Sequence, residues 1–169
     1  AERPDTVWFA GAARHHHLCA AVGTGHGEPD DGRFDERRDV DFLCGCALLV
    51  SRRLWESVGL FDERFFVYYE DSDLCQRARA AGFRLRYVPE AVVMHRVPYG
   101  VGWELSRPKV YHRARSSAIF FGKHCSKPRL GFVVGSRVLF GVALAWHGRS
   151  PMPLAWHCRG LWDGLRVGV

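Results

Sequence analysis

Three carboxylates follow directly behind an aromatic run in the stretch FFVYYEDSDLCQR, which spans residues 65–77. Glu70, Asp71 and Asp73 fall within four positions, where a pattern typical of a helix begins. The free N–H groups and the dipole of a helix start favour a negative charge there. At the edge of a pocket, such a carboxylate is suited to accept a proton from an alcohol. Asp71 is therefore a candidate general base. The alternative is that these acids only cap the helix and carry surface charge.

The aromatic run gives the carboxylates a possible binding surface. Large rings would exclude water on one side and could stack against a flat, partly apolar face such as that of a sugar. Tyr69, the last residue of the run, is therefore a candidate for substrate binding. Asp73, in the first helical turn, is expected to support the helix start.

His95 ends the short apolar run AVVMH, about two dozen residues after the acids. A neutral imidazole is a common ligand for a divalent metal. A single histidine is more often structural, so His95 alone leaves both interpretations open.

Local signals predict the elements that would position these residues. Ser51 can cap a short helix that Gly59 ends. Ser72 can cap a second helix that Gly82 ends. The alternating stretch FRLRYVP predicts a strand that stops at Pro89.

Further elements are predicted on either side. A strand is expected near Thr6–Ala10, and AVVMH is expected to form a second short strand. The run VDFLCGCALLV, residues 40–50, predicts a buried, β-leaning element with Cys44 and Cys46 on one face. A long helix is expected over Trp103–His124, with a proline in its first turns.

The composition indicates a folded chain in a reducing compartment. With 169 residues and 47% apolar content, the chain can build one domain with a core and is not disordered. Its six cysteines form no C-x-x-C pair and suggest no disulfide framework, so we expect small buried apolar residues. Position 1 is not methionine and no signal peptide follows, so we expect a fragment of a longer protein.

The net charge of +6 comes from the end of the chain. From Lys123 onward there are seven basic residues and one acid, Asp163, around the apolar run LGFVVGSRVLFGVALAW. That run is near the lower limit for spanning a bilayer and carries Arg137 in its middle, so we expect a helix lying on an anionic membrane surface. A buried C-terminal helix is the alternative. Nucleic acid is not an expected partner, because the basic residues flank apolar runs rather than a polar groove.

Four motifs in order carry a family resemblance: GCALLVSRR, VGLFDERFF, YYEDSDLCQRARAAG and YVPEAVVMH. Together they resemble the second half of a family 2 glycosyltransferase with the GT-A fold, close to rhamnosyl- and galactofuranosyltransferase-like enzymes of bacterial cell-envelope polysaccharide synthesis. The resemblance implies an α/β fold class. Residues 1–125 would be the C-terminal, acceptor-side half of a Rossmann-like GT-A domain, and residues 126–169 a basic, apolar, membrane-associating helical tail.

The resemblance also implies roles for individual residues. Asp71 would deprotonate the acceptor hydroxyl for one inverting attack on the anomeric carbon of a nucleotide sugar, and Glu70 would bind the acceptor and hold Asp71. His95 would complete the coordination of Mg²⁺ or Mn²⁺ on the diphosphate leaving group. Gly45 and Cys46 fall where the family's backbone approaches donor or acceptor.

One departure concerns the nucleotide-binding half, which in this family ends in a D-x-D-type acidic motif. The stretch EPDDGRFDE contains Asp30, Asp31 and Asp35 but follows no apolar strand, so we expect a solvated loop. We therefore expect the chain by itself to be inactive. The alternative function is a non-catalytic remnant that binds a glycan or a partner at the membrane. A metallohydrolase would need a second ligand cluster, which the sequence lacks.

The expected partners are a nucleotide-sugar donor, a glycan or lipid-linked acceptor and an anionic membrane surface. The expected location is cytoplasmic, peripheral on the inner face of the cell membrane.

Overall fold

The computed structural model describes residues 5–15, 20–95, 105–147 and 149–168. In this part of the chain the strands are β1 Thr6–Val7, β2 Ala12–His15, β3 Ala20–Gly23, β4 Glu28–Pro29, β5 Arg38–Val40 and β6 Leu85–Tyr87. The helices are α1 Arg52–Val58, α2 Glu70–Ala80, α3 Arg107–His124, α4 Lys127–His147 and α5 Met152–Gly168. The chain divides into two compact units. Unit 1 is Ala1–Phe61 with Asp71–Arg96, and unit 2 is Asp62–Glu70 with Val97–Val169.

The strands of unit 1 form three antiparallel pairs, β1 with β4, β2 with β3 and β5 with β6. Strands and helices are both present, as the predicted α/β class requires. Every strand pair among the described residues is antiparallel, so the Rossmann-like part of the prediction stays a prediction. The predicted division of the chain after residue 125 also stays a prediction.

Helix α1 forms as predicted. The Ser51 hydroxyl accepts a hydrogen bond from the Leu54 N–H, which satisfies one of the free donors of the first turn. Gly59 ends the helix with a φ of 76°, a conformation that favours glycine.

Helix α2 begins two residues before the predicted cap. It starts at Glu70, so Ser72 lies inside the first turn and does not cap it. Asp71 also lies within the helix rather than just before it. The predicted end is confirmed, because Gly82 has a φ of 83° and the Phe83 N–H reaches back to the Ala78 carbonyl.

The buried, β-leaning element predicted at 40–50 and the strand predicted at AVVMH both differ from the structure. Residues 41–50 contain no strand, and Cys44 and Cys46 flank a turn at Gly45, whose N–H pairs with a side chain rather than with another strand. The run AVVMH is exposed and forms no strand among the described residues, and the Ala91 N–H donates to the Val88 carbonyl in a turn. Pairing in the 40–50 run is limited to its start, where Val40 pairs with Leu85 and Phe42 forms an isolated antiparallel bridge with Ala12.

The core of unit 1 packs α1 and α2 against β6. Its buried residues are Leu54, Leu74, Cys75, Ala78 and Leu85. Each large aliphatic side chain buried there contributes about 1.5–3 kcal/mol. The cysteines differ from the prediction, since only Cys75 of those described is buried, while Cys46 and Cys158 are exposed. Cys19 lies outside the described residues.

Unit 2 is a helical unit in which α5 lies directly on α3. Helix α3 begins at Arg107, later than predicted, and Trp103 lies outside the described residues. The contact contains small residues, because a Cβ on Gly160 would meet the Tyr111 carbonyl oxygen, and one on Gly164 would lie 2.8 Å from the Cβ of Ala118. The backbones of the two helices therefore touch.

Candidate active site

Asp71 is held by two backbone N–H groups from different parts of unit 1. Its Oδ2 accepts a hydrogen bond from the Gly45 N–H at 3.0 Å, and its Oδ1 accepts one from the Ser72 N–H at 2.7 Å. The carboxylate is half-buried at the start of α2. The fold thus joins two predicted site residues, Gly45 and Asp71, that lie 26 positions apart.

The loop that carries Gly45 is anchored to α2 by a second contact. The Leu43 N–H donates to the Cys75 sulfur, and the Cys75 thiol lies 3.5 Å from the Leu43 carbonyl oxygen. Burial raises the pKa of Cys75 to about 11, so this thiol stays protonated. Burial likewise raises the pKa of Cys44 to about 12. Neither thiol is suited to act as a nucleophile, and Cys75 anchors the loop through Leu43. Cys46, the other predicted substrate contact in this loop, is exposed.

Asp73 lies in the first turn of α2, as predicted, and also forms an ion pair within the helix. Its side chain is fully buried and accepts a hydrogen bond from the Nε of Arg77 at 2.7 Å. The same guanidinium donates to the carbonyls of Val58 and Leu60, which tie α2 to the end of α1. The pair therefore fixes the helix that carries Asp71. The i, i+4 spacing of Asp73 and Arg77 was visible in the sequence and could have indicated it.

Tyr69 and Glu70 belong to unit 2, since the division between the units falls after Glu70. Tyr68 and Tyr69 both have positive φ angles, 66° and 68°, in a region that non-glycine residues adopt only at a cost. Two consecutive strained residues indicate a segment held in place by its surroundings. The ring of Tyr69 lies 5.3 Å from that of Phe120, and its hydroxyl lies 3.4 Å from an Arg137 nitrogen.

His95 lies in unit 1 beside an aromatic ring. Its ring centroid is 4.3 Å from that of Trp8 in an edge-on arrangement, and the residue is exposed. Within the described ranges, no three His, Cys, Asp or Glu side chains come together to hold a metal ion. The residues described here therefore do not form a complete metal site, and the role of His95 as a ligand stays a prediction.

The acidic stretch before β5 is the solvated loop that was predicted. Asp30, Asp31 and Asp35 are all exposed. Asp31 pairs with Arg33 at 2.6 Å, and this hydrogen-bonded contact lowers the pKa of Asp31.

Comparison with known proteins identifies the class. The profile of the family described as "Glycosyltransferase like family 2" matches residues 11–115, which include the Gly45 loop and Asp71. The chain belongs to this family of transferases.

Two curated relatives are rhamnosyltransferases. An N-acetylglucosaminyl-diphospho-decaprenol L-rhamnosyltransferase of Mycobacterium tuberculosis is 41% identical over 83 residues, 49% of this chain and 27% of the relative. Rhamnosyltransferase WbbL of Escherichia coli strain K12 is 43% identical over 56 residues, 33% of this chain and 21% of the relative. The matched segments thus span about a quarter of the length of these relatives. No solved structure matches the chain.

Proposed function

We propose that this chain supplies the acceptor side of an inverting glycosyltransferase, with Asp71 as general base. The observation that carries the proposal is the hydrogen bond from the Gly45 N–H to Asp71 Oδ2. It joins the carboxylate to the Gly45 loop, which by the family resemblance would lie close to the substrates.

The proposed reaction needs only one displacement. The acceptor hydroxyl gives its proton to Asp71 while its oxygen attacks the anomeric carbon of the donor sugar. The new carbon–oxygen bond forms on one face as the bond to the nucleotide diphosphate breaks on the other. The electrons of the broken bond leave with the diphosphate, so no covalent intermediate on the protein is required. The N–H groups of Gly45 and Ser72 orient the carboxylate for this transfer.

The donor and acceptor are proposed from the relatives. Both described relatives are rhamnosyltransferases by name, and one acts on a diphospho-decaprenol-linked sugar. We therefore propose an activated deoxyhexose donor such as a nucleotide-linked rhamnose, and a lipid-linked glycan acceptor of a bacterial envelope polysaccharide. Enzymes of this family generally require a divalent ion, Mg²⁺ or Mn²⁺, which would neutralise the leaving diphosphate. His95 offers one ligand for it, and Glu70 and Tyr69 are proposed to contact the acceptor.

A membrane location is proposed from the outer face of α4. Among the described helices, only α4 is long and apolar enough to cross a bilayer. Only 11% of its most apolar 18-residue segment is buried. Phe132, Leu139 and Trp146 lie at helical spacing and are 70%, 71% and 87% exposed. Arg137 turns away from this face, because its guanidinium lies 5.5 Å from the ring centroid of Phe121. The exposed stripe is thus largely apolar, apart from Ser136, whose hydroxyl donates to the Val133 carbonyl. We propose that it lies in a membrane surface on the cytoplasmic side.

The function is tested with the complete protein that carries this chain. Purified protein is incubated with radiolabelled nucleotide sugars, a lipid-diphosphate-linked acceptor and Mg²⁺ or Mn²⁺. Transfer of rhamnose with inverted anomeric configuration is the expected result. Transfer with retained configuration would contradict the single displacement, and acceptor binding without any transfer would favour the non-catalytic alternative. The 169-residue chain by itself is expected to transfer nothing, since it contains no D-x-D motif behind an apolar strand.

The membrane location is tested with two matched substitutions of exposed leucines. Leu139→Ser on α4 is expected to lower co-sedimentation with anionic vesicles by several-fold, because it places a hydroxyl in the apolar stripe. Leu49→Ser is the control, because Leu49 is fully exposed in unit 1 and outside that stripe. Equal binding by both variants would exclude the stripe as the membrane contact.

A further inference from the structure

A cavity in unit 2 has a lining rich in hydrogen-bond donors. It encloses about 680 Å³ beside the first turns of α3. Its walls come from two helices, and the residues that line it are Arg107, Pro108, Tyr111, His112, Trp156, Arg159 and Asp163. Nothing in the proposed transfer reaction uses these residues.

The one carboxylate in the lining is already neutralised. Asp163 Oδ2 accepts hydrogen bonds from the Tyr111 hydroxyl at 2.9 Å and from the Arg159 Nε at 2.9 Å. These contacts, led by the one from Arg159, lower the pKa of Asp163. Arg159 keeps its outer N–H groups for another partner, because its side chain is 73% exposed. Asp163 therefore holds Tyr111 and Arg159 in position. Because Arg159 balances the charge of Asp163, Arg107 gives the lining a net positive charge.

His112 adds a donor to the same wall. Its Nδ1 is buried and has no hydrogen-bond partner among the described residues. A buried nitrogen without a partner is least costly without its proton, so the proton belongs on Nε2. Burial lowers the pKa of His112, which keeps the ring neutral at pH 7. The neutral ring therefore carries its proton on Nε2, and both His112 and Trp156 line the cavity.

The start of α3 also faces this cavity. Its first turn contains no acidic residue but does contain Arg107, and the Ser106 hydroxyl makes no capping hydrogen bond. A cation at a helix N-terminus opposes the helix dipole, so an anion bound there would offset both charges.

We propose that this cavity binds a phosphate ester, with Arg107 and the outer face of Arg159 holding the phosphate and Trp156 contacting the group attached to it. Guanidinium groups and neutral N–H donors match phosphate oxygens in geometry and charge. A cavity of about 680 Å³ has room for more than a phosphate, which is why the ligand is an ester rather than the free ion. The phosphate ester could be a lipid headgroup or a soluble metabolite. This proposal does not depend on the transferase function.

The test measures phosphate-ester binding with charge-matched variants. The chain is titrated with sn-glycerol 3-phosphate by calorimetry, and separately with vesicles of neutral lipid alone or mixed with phosphatidylglycerol. Arg107→Gln is expected to weaken binding about tenfold or more, as loss of one charged hydrogen bond does. Arg149→Gln removes the same charge from an exposed position that does not line the cavity, and is expected to leave binding nearly unchanged.

Each outcome supports or overturns the proposal. Binding of the soluble ester that is sensitive to Arg107→Gln identifies a site for phosphate esters in solution. Sensitivity seen only with phosphatidylglycerol vesicles identifies a lipid headgroup site. Equal losses in Arg107→Gln and Arg149→Gln would show diffuse charge attraction and overturn the proposal, as would no binding of either ligand. Trp156→Leu is a second probe of the same wall and is expected to weaken binding without removing charge. Arg107 is exposed, so its replacement is not expected to disturb folding.

Discussion

Replacing Gly164 by alanine tests whether α3 and α5 touch through their backbones. A Cβ at this position would clash with the carbonyl oxygen of Arg115 and lie 2.8 Å from the Cβ of Ala118. A favourable carbon–oxygen contact is about 3.3 Å, so α5 must move away from α3 by about 1 Å. Neither obstacle is the flexible end of a side chain. The shift would loosen the small core that α3 shares with Leu161 and Leu165.

The size of the effect follows from a matched control on α4. Gly135 has no heavy atom within 4 Å of an added Cβ, so Gly135→Ala gains only helix propensity, about 1 kcal/mol. Gly164→Ala gains the same propensity but adds an overpacking cost of about 1–3 kcal/mol. The difference between the two variants is therefore the steric cost alone. We expect this steric cost to be about 3 kcal/mol, because the nearest obstacle is a backbone atom. A cost of this size lowers the melting temperature by about 6–12 °C.

The assay must report on unit 2, because a chain with two units need not unfold in one step. Hydrogen exchange of the amides in α3 and α5 meets that requirement, with amides of α2 as an internal reference. Gly164→Ala should lower protection in α3 and α5 but not in α2, and Gly135→Ala should not lower it. Equal protection in the two variants would refute the close backbone contact.

Two further predictions concern buried and half-buried carboxylates. Asp73→Asn should destabilise unit 1 by about 3–5 kcal/mol in a denaturant titration, because Arg77 would lose its buried counter-charge. Asp39→Asn is the control, since its ion pair is exposed, and should cost less than about 1 kcal/mol in the same titration. The pKa of Asp62 is lowered by its hydrogen bonds to Arg64 and also by Lys123. Its contribution to stability is therefore complete above about pH 4 and is lost as the pH falls through the folded-state value. Asp62→Asn should flatten that acid dependence in thermal unfolding measured from about pH 5 to pH 2, and an unchanged slope would contradict the assignment.

The sequence predicted local features where one residue type decides the backbone. Ser51, Gly59 and Gly82 end or begin their helices as expected, because capping and positive φ depend on the residue itself. The strand at 85–87 was likewise found, since its alternation and the following proline are local signals.

Features that depend on distant partners were not predictable in the same way. The apolar run at 40–50 gave a strand pattern, but the Gly45 N–H goes to Asp71, a partner that no local pattern names. The run AVVMH was likewise predicted to be a strand from its own composition, although a strand forms only where a second segment pairs with it. The family resemblance gave Gly45 and Asp71 separate roles at the substrates but did not predict the hydrogen bond between them, and the residue pattern alone left open that Asp71 only caps the helix. The donor-rich cavity between two helices gave no linear signal, because its lining is split between residues 107–112 and 156–163.

The most direct test of the account is the turnover of Asp71→Asn in the complete protein, compared with Asp30→Asn. The asparagine keeps the shape of the side chain and can still accept the Gly45 N–H through its carbonyl oxygen, but its amide nitrogen cannot accept the Ser72 N–H and it cannot take the proton of the acceptor. We predict a fall in kcat of about a hundredfold or more with donor binding nearly unchanged. Asp30→Asn, in the exposed loop, should retain full turnover. Turnover near that of the wild type in Asp71→Asn would contradict the role of Asp71 as the base.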